Sequence, residues 1–468
     1  MSDLKEFVTR IFRSNTVEVP AHKKELFNRF IEDEQNRATI DDIIRNQNML
    51  MARWRVEDRI ADIIQQPVRI LNATTGKPYE AKFDFTHLKW KDINAFEFQG
   101  LTEVGLLYDG QTKQITGTPS ISGEFKIKFK FKIEGQSEAS PMNEKTIGLI
   151  INPDPKTLWK NVASDKDGAY WKEDDVTVCK PINGRHLLAS SKRGRSHANV
   201  GGFREDDFGY SELSNGWGIV VVADGAGSAK YSRKGSSVAC ESVIRFFNTP
   251  ESIESMAGFD SLVVEHNEKR SAETQKKINL FLYNNLGKAA FQAHKSLDEM
   301  AKATGTVLKD FATTLIFSLF KKYDIGYSIL SFGIGDCPMA VLNTKMTKVI
   351  PLNRLDVGEF GGGTRFITMP EIFTKDTFQS RLDFQLVDDF SFLILMSDGI
   401  YDPKLVVESN LADVKKWHGL ISDLQGENDD KIAVVLNAEN KEITTQFSNW
   451  MDFWSTGNHD DRTLAIVF

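Results

Sequence analysis

Four times in the last three hundred residues of this 468-residue chain, an apolar run meets an aspartate in a tight, small-residue context. "VVVADGAG" stops on Asp224, "SFGIGD" on Asp336 and "FLILMSDG" on Asp398, while "GNHDDRTLAIVF" places Asp461 just ahead of the last run. "REDDF" adds Glu205, Asp206 and Asp207. Singly, an aspartate of this kind reads as a turn or a cap. Repetition changes the reading, because carboxylates gathered at sheet ends repel one another unless cations lie between them. Oxygen ligands without a histidine or cysteine cluster favour Mg²⁺ or Mn²⁺ over zinc. Gly225, Gly227 and Gly399 would let the backbone approach an ion closely.

Composition narrows the field. Apolar residues form 41% and charged residues 26%, enough for substantial cores, and the length suggests about three domains. A net charge of -7 argues against dependence on nucleic-acid phosphates, despite the short basic patch Lys192, Arg193, Arg195. Three cysteines, Cys179, Cys240 and Cys337, give neither a disulfide framework nor a zinc ribbon. No apolar run reaches the ~20 residues of a membrane helix, and the N-terminus lacks a signal-peptide core. The expectation is a soluble, cytoplasmic protein with no nucleic-acid or membrane partner.

Four segments are expected. Residues 1–66 carry helical spacing and end at Pro67. Their apolar residues Ile40, Ile43, Ile44, Met49, Met51 and Trp54 are expected to pack against each other or the next domain, with a partner-binding helix as the alternative. Residues 67–153 change to short alternating strands. "GEFKIKFKFKIEG" sets Phe125, Ile127, Phe129 and Phe131 on one face and lysines on the other. Residues 154–164 read as a linker. Residues 165–468 alternate strands with helices, including a long amphipathic helix over about Ser271 to Ala303 and successive strands in "FATTLIFSLFKK", "IGYSILSFGIGD" and "MAVLNTKMTKVIPL" that are near enough to pair antiparallel.

Two resemblances follow from these motifs. "GLLYDGQTKQITGTPSISGEFKIKFKFKIEG" resembles the immunoglobulin-like repeat of bacterial multidomain proteins, which implies a small all-β sandwich with no catalytic group. "SSKRGRSH", "REDDF", "ADGAGSAKYSRKGS", "ATTL", "GIGD", "GGGTRFIT", "MSDGI" and "HDDRT" arrive in the order of the bacterial branch of the metal-dependent protein phosphatase 2C family. That resemblance implies an α+β fold, a four-layer α-β-β-α sandwich, and hydrolysis of phosphoserine or phosphothreonine on proteins by a water activated between two Mn²⁺ or Mg²⁺ ions, without a phosphoenzyme. By position it assigns Asp224 to bridge the ions, the Gly225 carbonyl to one of them, and Asp398 and Asp461 to the other. Asp206 would hold metal-bound waters, and Asp336 would serve a third, weaker metal. Implied partners are a phosphorylated protein and a cognate serine/threonine kinase. The alternatives are a non-catalytic phosphoprotein-binding adaptor and a hydrolase of a small phosphorylated metabolite.

The chain also departs from the family pattern. His197 stands where an arginine usually grips the substrate phosphate, so that role falls to His197 with Arg195 or Arg193 nearby, or His197 is structural. Ala226 replaces a histidine found in animal members, and "GDCP" leaves the third-metal site less complete. His459 reads as a loop residue or a proton donor. "GEFGGGTRFIT", 358–368, falls at the family's flap, where Arg365 would reach a substrate.

Overall fold

The computed structural model describes every residue except Met1, 357–362, Lys375 and Thr456. The chain divides into two compact units, Met1–Leu158 and Trp159–Phe468, with the break inside the expected linker.

In the first unit, helices α1 (Ser2–Ser14), α2 (Lys24–Glu32) and α3 (Glu34–Gln65) come first. The Asp33 side chain caps α3 by accepting from the amides of Gln35 and Asn36, and Pro67 follows its end. Val8, Ile31 and Ile40 form a small core among the three helices. Ile43, Met49, Met51 and Trp54 do not join it; they stay exposed, contrary to the packing expected of them. Seven strands follow: β1 (Ala73–Thr74), β2 (Tyr79–Lys82), β3 (Ile93–Gln99), β4 (Leu106–Asp109), β5 (Gln114–Gly117), β6 (Gly123–Ile133) and β7 (Asn143–Asn152). They form sheets in the orders β1-β7-β6-β3 and β2-β5-β4, antiparallel except for β1 beside β7. The alternation of β6 does what its period requires, since Ile127, Phe129 and Phe131 are buried and the lysines between them face outward. They share one core with Leu106, Ile115, Leu149, Trp90 and, from α3, Ile60 and Ile63. A short helix α4 (Pro155–Leu158) ends the unit.

The second unit runs β8 (Asp175–Ile182), β9 (Arg185–Lys192), α5 (Arg195–Val200), β10 (Asp207–Glu212), β11 (Gly218–Ala223), α6 (Ser232–Phe247), α7 (Pro250–Ala257), α8 (Phe259–Lys269), α9 (Ala272–Leu282) and α10 (Lys288–Thr304). It continues with β12 (Leu315–Tyr323), β13 (Gly326–Ile334), β14 (Met339–Asn343), β15 (Val349–Pro351), β16 (Leu382–Val387), β17 (Phe390–Met396), α11 (Asp398–Lys404), α12 (Val414–Leu424), α13 (Ile443–Trp450) and β18 (Arg462–Val467). Five strands make one sheet, β10-β11-β12-β13-β16, and six make another, β15-β14-β17-β18-β9-β8. One core joins the two sheets through Val220, Val222, Ile316, Ile329, Leu393, Leu395 and Ala465. A second lies between the five-stranded sheet and helices that include α6 and α10, and a third between the six-stranded sheet and α11 to α13.

One expectation changes here. The strands expected in succession do not all pair: β12 and β13 are antiparallel partners, but β14 belongs to the other sheet, paired with β15 and β17. The chain crosses between sheets at "GDCP", where Gly335 takes a φ of +105° that disfavours any other residue. The long helix expected over about Ser271 to Ala303 runs without interruption as α9, a π-helical turn at Tyr283–Gly287 and α10; the extra residue of that turn is invisible to a 3.6-residue period. At that turn a Cβ on Gly287 would lie 3.1 Å from the Phe378 ring.

Candidate active site

The acidic side chains converge because the elements carrying them end at one place. Strand β11, buried at every position, delivers Asp224, whose amide donates to Thr314 Oγ1 at 2.9 Å and whose carbonyl accepts from the Thr314 amide at 2.8 Å. Both contacts tie the backbone, so the carboxylate projects from a fixed point. Asp336 follows β13, and its Oδ2 accepts from Thr364 Oγ1 at 2.5 Å. Asp398 opens α11 directly after β17. Ligand atoms of Asp224, Asp336 and Cys337 lie within 4.8 Å of one another. Cys337 is buried, with Sγ 4.0 Å from Asp224 Oδ2 and 3.3 Å from Thr314 Oγ1.

Close backbone approach makes this possible. A Cβ on Gly399 would sit 1.9 Å from the Asp461 carbonyl oxygen, and one on Gly225 would sit 2.7 Å from the Glu205 carbonyl oxygen. These two glycines are required by contact, not by conformation.

Burial and like charge dominate the electrostatics, offset only in part by hydrogen bonds, among them one between Asp224 and Asp398. Burial pushes the Asp224 carboxyl well above its ordinary range, and the charges of Asp206, Asp398, Asp460 and Asp336 push the same way. Asp398 is raised well above its ordinary range by burial and by Asp460, Asp336 and Asp206, and its Oδ1 is buried with no hydrogen-bond partner. Asp206 is buried, with Oδ2 accepting from Thr463 Oγ1 at 2.9 Å. Burial and the Asp461 charge carry it up to about 7 against the hydroxyls of Ser397 and Thr463. Glu205 also rises to about 7, chiefly through burial, and its Oε2 has no hydrogen-bond partner. Asp207, by contrast, pairs with Lys172 Nζ at 3.0 Å and serves structure.

Asp461 behaves differently from what its position implied. Its Oδ1 accepts from the Gly194 amide at 2.6 Å and stands 2.9 Å from His197 Nδ1, while its Oδ2 accepts from the Glu205 amide. Burial alone would raise this carboxyl, but the His197 hydrogen bond and charge, with the two amides, hold it below the ordinary range. Both oxygens are taken up by protein donors. Its neighbour Asp460 is the residue whose charge bears on Asp224 and Asp398. Sequence reasoning passed over Asp460, although "HDDRT" offers two adjacent candidates; only backbone direction distinguishes them.

The remaining expectations resolve by contact. Burial would lower His197, yet Asp461, Glu205 and Asp460 outweigh it and carry it up to about 9. Arg195 donates to the Asp452 carbonyl at 2.7 Å and lies over the Trp454 ring, and Arg193 donates to the Gly202 and Val162 carbonyls. Neither has a contact with the acidic cluster among the described residues. The His459 ring lies 4.6 Å from that of Trp159 and 4.7 Å from that of Trp454. Of the flap segment, 358–362 lie outside the described residues; Thr364 touches Asp336, and the Ile367 amide donates to the Thr313 carbonyl at 2.9 Å.

Comparison with known proteins adds the following. The family profile described as protein phosphatase 2C matches residues 193–439, just over half of the chain. No curated protein matches. Among solved structures, a bacterial serine phosphatase is 17% identical with a TM-score of 0.34, covering 60% of this chain and 96% of its own. The serine/threonine phosphatase Stp1 from Staphylococcus aureus is 16% identical with a TM-score of 0.34, covering 60% and 93%. The catalytic domain of the serine/threonine phosphatase PstP, solved with two manganese ions, is 14% identical with a TM-score of 0.33, covering 62% and 98%. With the matched span holding Asp206, Asp224, Asp336 and Asp398 at strand ends of one paired-sheet unit, the chain belongs to the protein phosphatase 2C family.

Proposed function

We propose that this protein hydrolyses phosphoserine and phosphothreonine on protein substrates with two divalent cations, Mn²⁺ or Mg²⁺, held in the acidic cleft, and with Asp336 beside Cys337 as the place for a weaker third. One observation carries the reading: Asp398 Oδ1 is buried, has no hydrogen-bond partner and is surrounded by like charge. Such an atom is costly in a folded protein unless a cation meets it. Ligand atoms gather in two groups, Asp224 and Asp336 with the Cys337 thiol, and Asp460 and Asp461 with His197; the carboxylates that dominate both suit hard cations. The three cores are read as the filling of a four-layer α-β-β-α sandwich, and the first unit's two sheets as the immunoglobulin-like sandwich.

Asp224, Asp398 and the Gly225 carbonyl would hold the cations. Asp460 takes the place first given to Asp461, whose oxygens are occupied. Bound divalent cations supply Lewis acidity that makes a hydroxide nucleophile available near neutral pH. Asp206, held by Thr463, would orient water in the cleft by accepting hydrogen bonds from it. His197 stays cationic at neutral pH and locks Asp461, so it fixes the turn that presents Asp460; it is a positioning residue. It is also the cation of the His197 and Arg195 pair that lies next to the carboxylates, which suits a secondary role in attracting phosphate.

The test is Mn²⁺-dependent hydrolysis of a phosphothreonine peptide by wild type and Asp398→Ala. Wild type should turn over only with metal, and the variant should lose about a hundredfold or more. Metal binding by calorimetry without turnover in wild type would instead favour the adaptor reading. Preference for a small phosphate ester over the peptide would favour the metabolite reading.

A further inference from the structure

A cavity of about 470 Å³ opens among α6, α7, the π-helical turn and α10, and every residue lining it belongs to the second unit. Its volume falls within the ~300–1,000 Å³ of small-molecule sites. It stands well apart from the acidic cleft. Ser232, which opens α6, lies against Gly225, where a Cβ would come 3.0 Å from it, whereas Arg245, near the other end of α6, lines the cavity. The helix between them, at ~1.5 Å per residue, spans about 20 Å. Helical spacing assembles the lining. Ser242, Arg245, Phe246 and Thr249 follow one another at i, i+3, i+4 and i+7, and Lys288, Gln292 and Ser296 recur every fourth residue on α10. The π-helical turn places Asn284 and Asn285 at the junction, and such turns are frequent at functional sites.

The fold pairs some of these polar groups and leaves others. Ser255 Oγ donates to Asn285 Oδ1 at 2.7 Å, Thr249 Oγ1 to Ser252 Oγ at 3.0 Å and Gln292 Nε2 to Ser296 Oγ at 3.4 Å. Arg245 and Lys288 have neither an ion pair nor a side-chain hydrogen bond among the described residues. Ser242 is only 5% exposed, yet its hydroxyl has no hydrogen-bond partner among them either. A buried hydroxyl in that state is costly unless something outside the chain meets it. Glu251 is the only carboxylate among the described lining residues, so positive charge prevails here in a chain of net charge -7. We infer that this cavity binds a small phosphate-bearing molecule, with Arg245 and Lys288 meeting the phosphoryl oxygens and the Ser242 hydroxyl donating to the ligand. Arginine offers a fork of donors that matches phosphate oxygens, and lysine a compact charge. Phe246 supplies an apolar wall for an organic part. A free phosphate ion and the phosphoryl head of a sugar phosphate share this chemistry.

Calorimetry on the full chain in EDTA tests this, because without metal the crowded carboxylates of the cleft repel phosphate. Inorganic phosphate and ribose 5-phosphate should each bind with a Kd on the order of 0.1–1 mM at fixed ionic strength, and ribose should not bind. Tighter binding of ribose 5-phosphate than of phosphate supports an organic phosphate as the ligand; equal binding supports the free ion. Arg245→Glu and Lys288→Glu should each weaken binding about tenfold or more. Melting should stay unchanged in both, since the two side chains are exposed. Ser242→Ala should weaken binding about fivefold. Asp398→Ala should bind as wild type does; loss of binding there would move the phosphate into the cleft and overturn the inference. So would no binding of either phosphate compound up to about 10 mM, or wild-type binding by the double variant Arg245→Glu with Lys288→Glu. None of these results depends on metal-dependent hydrolysis, so the two readings fail separately.

Discussion

Asp460 and Asp461 adjoin in the chain, yet the fold uses them for opposite ends. Asp461 is buried against three donors, including cationic His197, so its charge stabilises the native state. Asp460 adds charge to a cluster already repelling itself. Asp460→Asn should therefore weaken Mn²⁺ binding about ten- to a hundredfold while leaving the melting of metal-free protein unchanged or higher. His197→Ala should cost about 2–3 kcal/mol of stability in urea denaturation, because it strips a buried carboxylate of its partner. Equal melting of His197→Ala and wild type would refute the locking role. Titration adds a third test. Asp206 and Glu205, raised to about 7, stabilise the fold while protonated, fully below their ordinary values near 4 and no longer above about 7. His197, raised to about 9, stabilises fully below 6.5 and loses that contribution as pH passes 9. All three run the same way, so metal-free protein should lose about 1–3 kcal/mol between pH 6 and 8. Saturating Mn²⁺ should flatten the slope; a melting temperature that rises over this range without metal would contradict the charge assignment.

At the scale of elements, the site depends on how closely two segments meet. Strand β17 turns into α11 against the carbonyl of Asp461, and only a glycine fits at 399. Gly399→Ala should cost more than about 2 kcal/mol, with the first structural change at the turn carrying Asp460. Wild-type stability in that variant would mean the contact is looser than the backbone indicates. Much at this scale was legible from the chain. The strict alternation of β6 and the wholly apolar run of β11 each imposed a strand, since no other regular conformation buries those faces. The long helix was legible too, but the π turn inside it was not, because such a turn preserves apolar character while shifting its phase. The transfer of β14 to the second sheet was not legible either, since hydrogen-bond partners are chosen across the fold and not along it.

For the whole molecule, the acidic cleft lies entirely within the second unit, which has its own three cores. Trp159–Phe468 produced alone should keep the metal-dependent activity of the full chain, and a soluble, folded fragment lacking it would show that the first unit completes the site. No helix among the described residues is long and apolar enough to cross a membrane.

The sequence by itself determined the residue types at the strand ends: aspartates driven in by buried strands, small residues beside them, and no cluster of histidines or cysteines. It also determined the change of texture near Pro67, because local periodicity is a property of neighbours. Tertiary structure alone decided which carboxylate of "HDDRT" is tied up by protein donors and that His197 holds Asp461. It likewise decided that Arg195 turns to the Asp452 carbonyl. The reason is the same in each case: direction and burial are set by contacts between segments hundreds of residues apart, and a single chain read in order carries the partners' identities but not their meeting.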